Sequence, residues 1–290
     1  MDLFRGLSKR DEEIIRHVAS RQEFPAGSVI FHEGDKADGL YLIISGKVEV
    51  YRLTSASLET PVARLGPGDI VGEMGILVRG GKRNASVRAV DHATLLRIPA
   101  NPVDLFASIQ EQESALSLME NIIWALELKL RRKYEPGRST PGIPLWTPRD
   151  LGINPQMDLR KIREGIPSGF FRTHFGTKTL KAGEFLYWEG EPAEQIFFLD
   201  AGELEILNRQ TDRIMHFREY LAAPCVVGEE AIFPDETRNI SCRARTDVKL
   251  IPFERKDIED LKKKDPEKAL DMLYALARII ILRILHLENA

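Results

Sequence analysis

Residues 71–87 of this 290-residue chain read VGEMGILVRGGKRNASV, and this stretch decides the fold that we predict. Gly72 lacks a Cβ, so a ligand can approach the backbone closely there. The apolar residues after it predict one short helical turn, whose free N–H groups and positive partial charge favour an anion. Gly80-Gly81 then reverses the chain, and Arg83 returns a planar fork of donors that suits a phosphate. The stretch therefore predicts a small anion-binding cradle.

Glu73 is the unexpected member of this cradle. A carboxylate repels a phosphate, but it accepts hydrogen bonds from ribose hydroxyls, as acidic residues do in dinucleotide sites. One carboxylate and one arginine on either side of a glycine turn therefore indicate a sugar phosphate as the ligand, and not a bare phosphate. The alternative is a surface loop in which these residues coincide by chance.

The segments Gly72-Glu73-Met74 and Arg83-Asn84-Ala85-Ser86-Val87 resemble the phosphate-binding cassette of cyclic-nucleotide-binding domains. Such domains are found in the regulatory subunit of cyclic-AMP-dependent protein kinase and in the catabolite activator protein family. The resemblance implies that Glu73 holds the ribose 2′-hydroxyl, that Arg83 holds the cyclic phosphate, and that Val50 and Ala63 line the purine. The ligand-binding residues that it implies for this copy are Val50, Ala63, Val71, Gly72, Glu73, Met74, Arg83, Asn84 and Ala85.

Composition sets broad limits on the class of protein. The chain is long enough for two domains, and 43% hydrophobic with 29% charged residues is typical of a soluble globular protein. A formal net charge of -3 gives no sign of a nucleic-acid-binding surface. Cys225 and Cys242 fit no zinc pattern and are expected to be buried free thiols. No signal peptide or membrane-spanning stretch is apparent, so we expect a cytoplasmic protein.

Apolar runs separated by glycine-rich turns predict a mainly β fold with flanking helices. We predict two tandem jelly-roll β-barrel domains, each followed by a long C-terminal helix. Ser8 is the expected N-cap of an earlier short helix. The first long helix carries an apolar stripe at helical spacing, and its basic end, residues 129–133, is expected to lie in solvent. In the last helix we expect Arg278 and Arg283 at the edge of an otherwise apolar surface.

An internal repeat supports the prediction of two domains. Residues 135–148 hold four prolines and two glycines, a density that predicts a linker. After it, Gly228-Glu229 repeats Gly72-Glu73 at an offset of 156 residues, and Arg238-Asn239 repeats Arg83-Asn84 at an offset of 155. We therefore predict a first domain over residues 1–135, a linker over 136–157, and a second domain over 158–290.

The second copy departs from the family pattern at the predicted site. Glu230 stands where Met74 stands in the first copy, and a further carboxylate beside a phosphate weakens anion binding. Ile240 replaces the small Ala85 and could fill the pocket. Glu229 and Arg238 are retained, and in an empty site they could pair with each other. Whether this copy binds ligand therefore stays open, and its candidate residues are Gly228, Glu229, Glu230, Arg238 and Asn239.

These features predict a cyclic-nucleotide sensor that changes conformation on binding and regulates a partner protein. The resemblance favours cyclic AMP over cyclic GMP. Trp124, Asn121 and Leu128 are candidates for a lid over the base, although packing in the core or in a helix seam explains each of them better. We expect an unidentified effector protein as the partner, and a homodimer through the long helices is one option. The alternative function is a scaffold protein whose nucleotide pockets are vestigial.

Other functional classes lack the residue patterns that they require. No two of the six histidines lie at H-x-H or H-x-x-x-H spacing, so a metal-dependent enzyme on a β-barrel is not expected. The sequence has no catalytic-triad or P-loop signature, so we expect neither enzymatic activity nor a cofactor. No helix-turn-helix segment is visible after either long helix, so direct nucleic-acid binding is not expected.

Overall fold

The structure is a computed structural model that describes residues 3–53, 58–77, 81–99, 112–134, 176–209, 215–223 and 225–287. The described residues up to 125 belong to one compact unit, and those from 126 onward belong to another. The predicted linker, residues 136–157, lies outside the described residues. Each unit is built around its own pair of antiparallel sheets, as the internal repeat predicts.

The first unit is a barrel made of two four-stranded sheets. Its strands are β1 (Ser20–Phe24), β2 (Val29–Phe31), β3 (Gly39–Ser45), β4 (Val48–Leu53), β5 (Glu59–Leu65), β6 (Ile70–Val71), β7 (Ser86–Ala89) and β8 (Ala93–Pro99). The sheets have the orders β1-β8-β3-β6 and β2-β7-β4-β5, and their inward side chains form one core. The helices are α1 (Lys9–Val18), α2 (Glu73–Leu77) and α3 (Gln112–Tyr134), the last of which continues into the residues of the second unit.

The second unit repeats this architecture. Its strands are β9 (Lys178–Leu180), β10 (Phe185–Tyr187), β11 (Gln195–Ala201), β12 (Glu203–Arg209), β13 (Met215–Ala222), β14 (Cys225–Val227), β15 (Ser241–Ala244) and β16 (Val248–Glu254). The sheet orders, β10-β15-β12-β13 and β14-β11-β16-β9, match those of the first unit strand for strand. A 3₁₀ turn (Glu229–Ile232) replaces α2, and α4 (Arg255–Lys264) and α5 (Pro266–Leu287) follow the barrel.

The predicted fold class is confirmed, and so are several local predictions. Ser8 caps α1, because its Oγ accepts a hydrogen bond from the backbone N–H of Asp11 at 3.1 Å. The apolar stripe of α3 is buried along its whole length, as the helical spacing indicates. Strand β1 was not predicted, because its sequence, SRQEF, lacks an apolar alternation; it is an edge strand that pairs with β8.

Two predictions about basic residues are wrong. Arg283 does not lie at the edge of α5 but is buried, with ion pairs to Glu219 and Glu229. Arg131, near the end of α3, is not a solvated residue: its side chain is only 21% exposed and forms ion pairs with Glu127 and Glu236. Carboxylates that are buried or half-buried pair with both arginines, and the local sequence pattern of a helix does not reveal such partners.

Among the described residues, no helix is both long enough and apolar enough to cross a membrane.

Candidate functional site

The first copy of the cassette places Arg83 in the interior of the first unit. The loop before β7 carries this arginine, and its side chain is 1% exposed. The guanidinium Nη1 donates to the carbonyl oxygen of Gly39 at 2.7 Å and to that of Gly72 at 3.0 Å. Gly72 has a φ of 83°, a left-handed conformation that favours glycine, and this directs its carbonyl towards the arginine.

Aromatic rings form the floor beneath Arg83. Its Cζ atom lies 4.2 Å from the centroid of the Phe31 ring and 5.7 Å from that of Tyr41, both within cation–π range. Its Nε is buried and has no hydrogen-bond partner among the described residues. Burial lowers the pKa of Arg83, while the neighbouring side chains of Tyr41, Asp38 and Glu73 act in the opposite direction. The site therefore holds a desolvated cation that would be stabilised by a further anion.

The counter-ion of Arg83 is Asp38, which is exposed and is shared with a second arginine. Asp38 Oδ1 accepts from Nη2 of Arg83 at 3.2 Å, while Oδ2 of the same carboxylate pairs with Arg97 at 2.5 Å. The Asp38 side chain is 53% exposed, so water screens its attraction to Arg83. A ligand anion could therefore displace this carboxylate without leaving a buried charge behind.

Most of the residues predicted for the first copy lie together. The chain runs from β6 into α2 through Val71, Gly72, Glu73 and Met74. Glu73 is buried close to Arg83, and its charge acts to raise the pKa of that arginine. Asn84 donates from Nδ2 to the sulfur of Met74 at 3.4 Å, and Ala85 is buried just before β7. Val50 and Ala63 face each other across β4 and β5.

Asn121, one of the candidates for the lid, has a structural role in the first unit. Asn121 on α3 donates from Nδ2 to the backbone carbonyls of Leu3, at 3.0 Å, and Arg5, at 2.8 Å. Its amide thus ties the N-terminal segment to α3 within the first unit, which is the core-packing alternative. Trp124 and Leu128 on the same helix are half-buried.

The second copy reproduces the cradle around Arg238, although Nη2 and Nη1 of this arginine each donate to one of the two carbonyls. Arg238 donates to the carbonyls of Gln195 at 2.6 Å and Gly228 at 3.3 Å, which stand at the positions of Gly39 and Gly72. Its Cζ lies 4.2 Å from the ring centroid of Tyr187 and 5.8 Å from that of Phe197. The backbone and the aromatic floor are therefore common to both copies.

The two copies differ in their counter-ions. Arg238 Nη1 pairs with Oε1 of Glu230 at 3.2 Å, and the Glu230 side chain is 4% exposed. Glu229, at the position of Glu73, accepts from Nη1 of Arg283, a residue of α5 that also pairs with Glu219 at 3.1 Å. The sequence-based option that Glu229 and Arg238 pair with each other is therefore wrong, because each has a closer partner of opposite charge.

Glu127 of α3 adds a carboxylate to this buried cluster of the second unit. Its Oε1 accepts from Nε of Arg131 at 3.2 Å and from Nδ2 of Asn239 at 3.4 Å. Burial, and next the charges of Glu229 and Glu230, raise the pKa of Glu127 to about 8. Sequence reasoning missed Glu127, because one glutamate on a charged helix gives no signal of burial.

Both cysteines lie in the second unit as free thiols. Cys242 on β15 is buried, and burial raises the pKa of its thiol well above the ordinary value. Burial also raises the pKa of Cys225, at the start of β14, to about 12. In the part of the chain that the structure describes, no cluster of histidine, cysteine and carboxylate side chains could hold a metal ion.

Comparison with known families identifies the class of protein that this fold and site define. The model of the cyclic nucleotide-binding domain matches residues 21–108 and 177–265, which is more than half of the chain. The chain belongs to this family and carries its domain twice, in tandem.

Several relatives share only part of the chain. A Cyclic AMP receptor protein from Thermus thermophilus is 38% identical over 96 residues, which are 33% of this chain and 44% of the relative. A CRP-like cAMP-activated global transcriptional regulator from Mycobacterium tuberculosis is 30% identical over 130 residues, or 45% and 55% of the two chains. The chain thus spans about half the length of the curated relatives that it matches.

Two solved structures align with different shares of this chain. The regulatory domain of Toxoplasma gondii PKA with cAMP aligns over 93% of this chain and 90% of its own, at 20% identity and a TM-score of 0.34. A putative cyclic nucleotide-binding protein from Geobacter metallireducens aligns over 43% of this chain and 89% of its own, at 28% identity and a TM-score of 0.38.

Proposed function

We propose that this protein is a cytoplasmic sensor of cyclic AMP, that its first unit is the sensing site, and that binding regulates a partner protein. The observation that carries the proposal is the buried guanidinium of Arg83, whose counter-ion Asp38 is half-exposed and shared with Arg97. A cyclic phosphate supplies the missing negative charge without exposing the arginine to water. The names of the relatives, which refer to cyclic AMP, support this choice of ligand.

In the proposed complex each part of the ligand meets a different group of the first unit. Arg83 donates to the phosphate as Asp38 withdraws into solvent, and Glu73 accepts a hydrogen bond from the ribose 2′-hydroxyl. Val50 and Ala63, on neighbouring strands, offer an apolar surface to the purine. Binding shifts a conformational equilibrium that already exists in the free protein, and the partner protein recognises the conformation that the ligand favours. No step of this proposal involves catalysis.

The proposal is tested by the thermal unfolding of the wild-type protein with a panel of nucleotides. We expect cyclic AMP to raise the unfolding temperature more than cyclic GMP does, because a ligand at 100 times its Kd stabilises the folded state by about 2.7 kcal/mol. Linear 5′-AMP is the matched control, since it carries the same base and sugar with an open phosphate. The absence of a shift with every cyclic nucleotide would contradict the proposal.

The backbone at Gly72 gives a second prediction. In Gly72→Ala, a Cβ would lie 2.4 Å from Nη1 of Arg83, so the guanidinium must leave its position. We expect cyclic AMP affinity, measured by calorimetry, to fall at least tenfold, which corresponds to about 1.4 kcal/mol.

Gly27→Ala is the matched control for this change. Gly27 has a φ of 81°, close to that of Gly72, but a Cβ there would have no atom within 4 Å. Both variants carry a similar backbone strain of about 1–2 kcal/mol, and only Gly72→Ala displaces the arginine. Equal affinities in the two variants would show that the position of Arg83 does not govern binding.

A further inference from the structure

We propose that the second nucleotide pocket is permanently filled by side chains of the protein itself and takes up no cyclic nucleotide. Glu230 is the internal counter-ion of Arg238 in this pocket. Arg283 pairs with Glu229, the carboxylate at the position that would otherwise bind a ribose. The inference rests on the proposed function only for the identity of the ligand that is excluded. The filling itself is a property of the second unit alone.

On the phosphate side of the pocket, the negative charge of Glu230 excludes a ligand anion. The cradle carbonyls and rings around Arg238 match those around Arg83, so the cradle alone does not distinguish the two copies. The difference lies in the counter-ion: Glu230 is buried with Arg238, whereas Asp38 reaches solvent. An incoming phosphate would have to displace the Glu230 carboxylate, which is buried with Arg238, or bring a second negative charge next to it, and like charges repel.

On the ribose side of the pocket, Arg283 of α5 pairs with the carboxylate of Glu229. Arg283 donates to Oε1 of Glu229, and Oε2 of the same carboxylate is buried. Arg283 is buried, and it also pairs with Glu219 on β13, so its release would break two buried ion pairs at once. Because Arg283 belongs to α5, freeing this side of the pocket requires a movement of that helix or of the arginine within the core.

The binding stoichiometry tests the exclusion of ligand. Titration calorimetry of the full chain with cyclic AMP should give one site per chain in the wild-type protein and no site in Arg83→Ala. In Arg238→Ala it should give one site, with an affinity within about twofold of the wild-type value. Two sites in the wild-type protein, one of which disappears in Arg238→Ala, would overturn the inference.

A double-mutant cycle tests the filling without any nucleotide. We expect Glu230→Gln and Arg238→Gln each to lower the denaturation midpoint, and the double variant to unfold no earlier than the less stable single variant. A single variant that fails to fold counts as a large effect, and recovery of folding in the double variant then supports the pairing. Additive losses would overturn the inference.

The matched control for this cycle is an exposed ion pair of the same unit. Arg245 and Glu203 approach to 2.7 Å, with side chains that are 49% and 39% exposed. Their glutamine variants should change the midpoint little and additively, because water screens the pair. If no cyclic nucleotide binds to the wild-type protein, the proposed function fails while the cycle still decides whether Glu230 and Arg238 are coupled. The two failures are therefore distinguishable.

Discussion

Cyclic AMP binding is expected to weaken at least about a hundredfold in Arg83→Gln, and to disappear in Arg83→Glu. A hydrogen bond to a charged group contributes about 1.5–3 kcal/mol, and the guanidinium offers two parallel ones to a phosphate. Glutamine removes both the positive charge and the planar fork of N–H donors. Glutamate also repels the phosphate, because both groups are negatively charged. Titration calorimetry measures both losses directly.

The Arg83 prediction requires a control for net charge and one for the fork. Arg16→Gln removes one positive charge from an exposed i,i+4 ion pair on α1 and should leave the affinity unchanged. Arg83→Lys keeps the charge without the planar fork and should give an intermediate affinity. Because Arg83 also donates to two backbone carbonyls, thermal unfolding of each variant must show that the first unit is folded. Wild-type affinity in a folded Arg83→Glu variant would refute the assignment of the site.

Glu127→Gln is expected to remove a loss of stability that the wild-type second unit suffers as the pH rises. The folded pKa of Glu127, about 8, lies above its ordinary value of 4.5. Between these values the folded protein binds more protons than the unfolded chain does, so the free energy of unfolding decreases with increasing pH. The stabilising contribution is complete below pH 4.5 and is lost as the pH passes through 8. At pH 7 the loss is on the order of 3 kcal/mol.

The charged groups that face Glu127 set the direction of this effect. Arg131 on its own helix and Arg283 on α5 lower its pKa, whereas Glu229 and Glu230 of the 3₁₀ turn raise it together with burial. The pKa of Glu229 is also raised by burial, although Arg283 opposes the shift, and its titration adds to the loss in the same direction. The amide of Asn239 donates to Glu127 whether the acid is ionised or neutral.

Denaturant midpoints at pH 5, 6, 7 and 8 measure the effect of Glu127. Glu127→Gln, an analogue of the protonated acid, should match the wild-type protein near pH 5 and exceed it increasingly towards pH 8. Glu259→Gln changes a more exposed glutamate of the same unit and should follow the wild-type curve. Parallel curves for wild type and Glu127→Gln would show that Glu127 ionises normally in the folded protein.

Short-range patterns were sufficient to predict the fold and to single out residues that lie together in the first unit. Gly72, Glu73 and Arg83 occur at a spacing that indicates a turn, a helical start and a returning loop, and the structure brings them together. The repeat offset then predicted the second barrel, because equivalent glycines recur at equivalent turns. Such signals are local, and a short sequence window contains all of them.

The contents of the second pocket were not predictable in this way. Arg283 lies in the apolar run IIILRILHL, where a cation normally marks the edge of a helix, and only the positions of Glu219 and Glu229 show that it is neutralised inside. Glu127 lies more than 100 residues before Asn239 in the sequence, so no local pattern links them. Asp38 was not singled out either, because its role depends on sharing between two arginines.

The two thiols have a practical consequence for experiments on this protein. The chain has no other cysteine, and both belong to the second unit. Cys242 is fully buried and holds its proton tightly, so alkylating reagents reach it as a thiolate only when that unit opens. Because Cys225 is only partly buried, it is the rate of alkylation of Cys242 itself that reports the transient opening of the second unit, whereas opening of the first unit, which contains no cysteine, goes undetected.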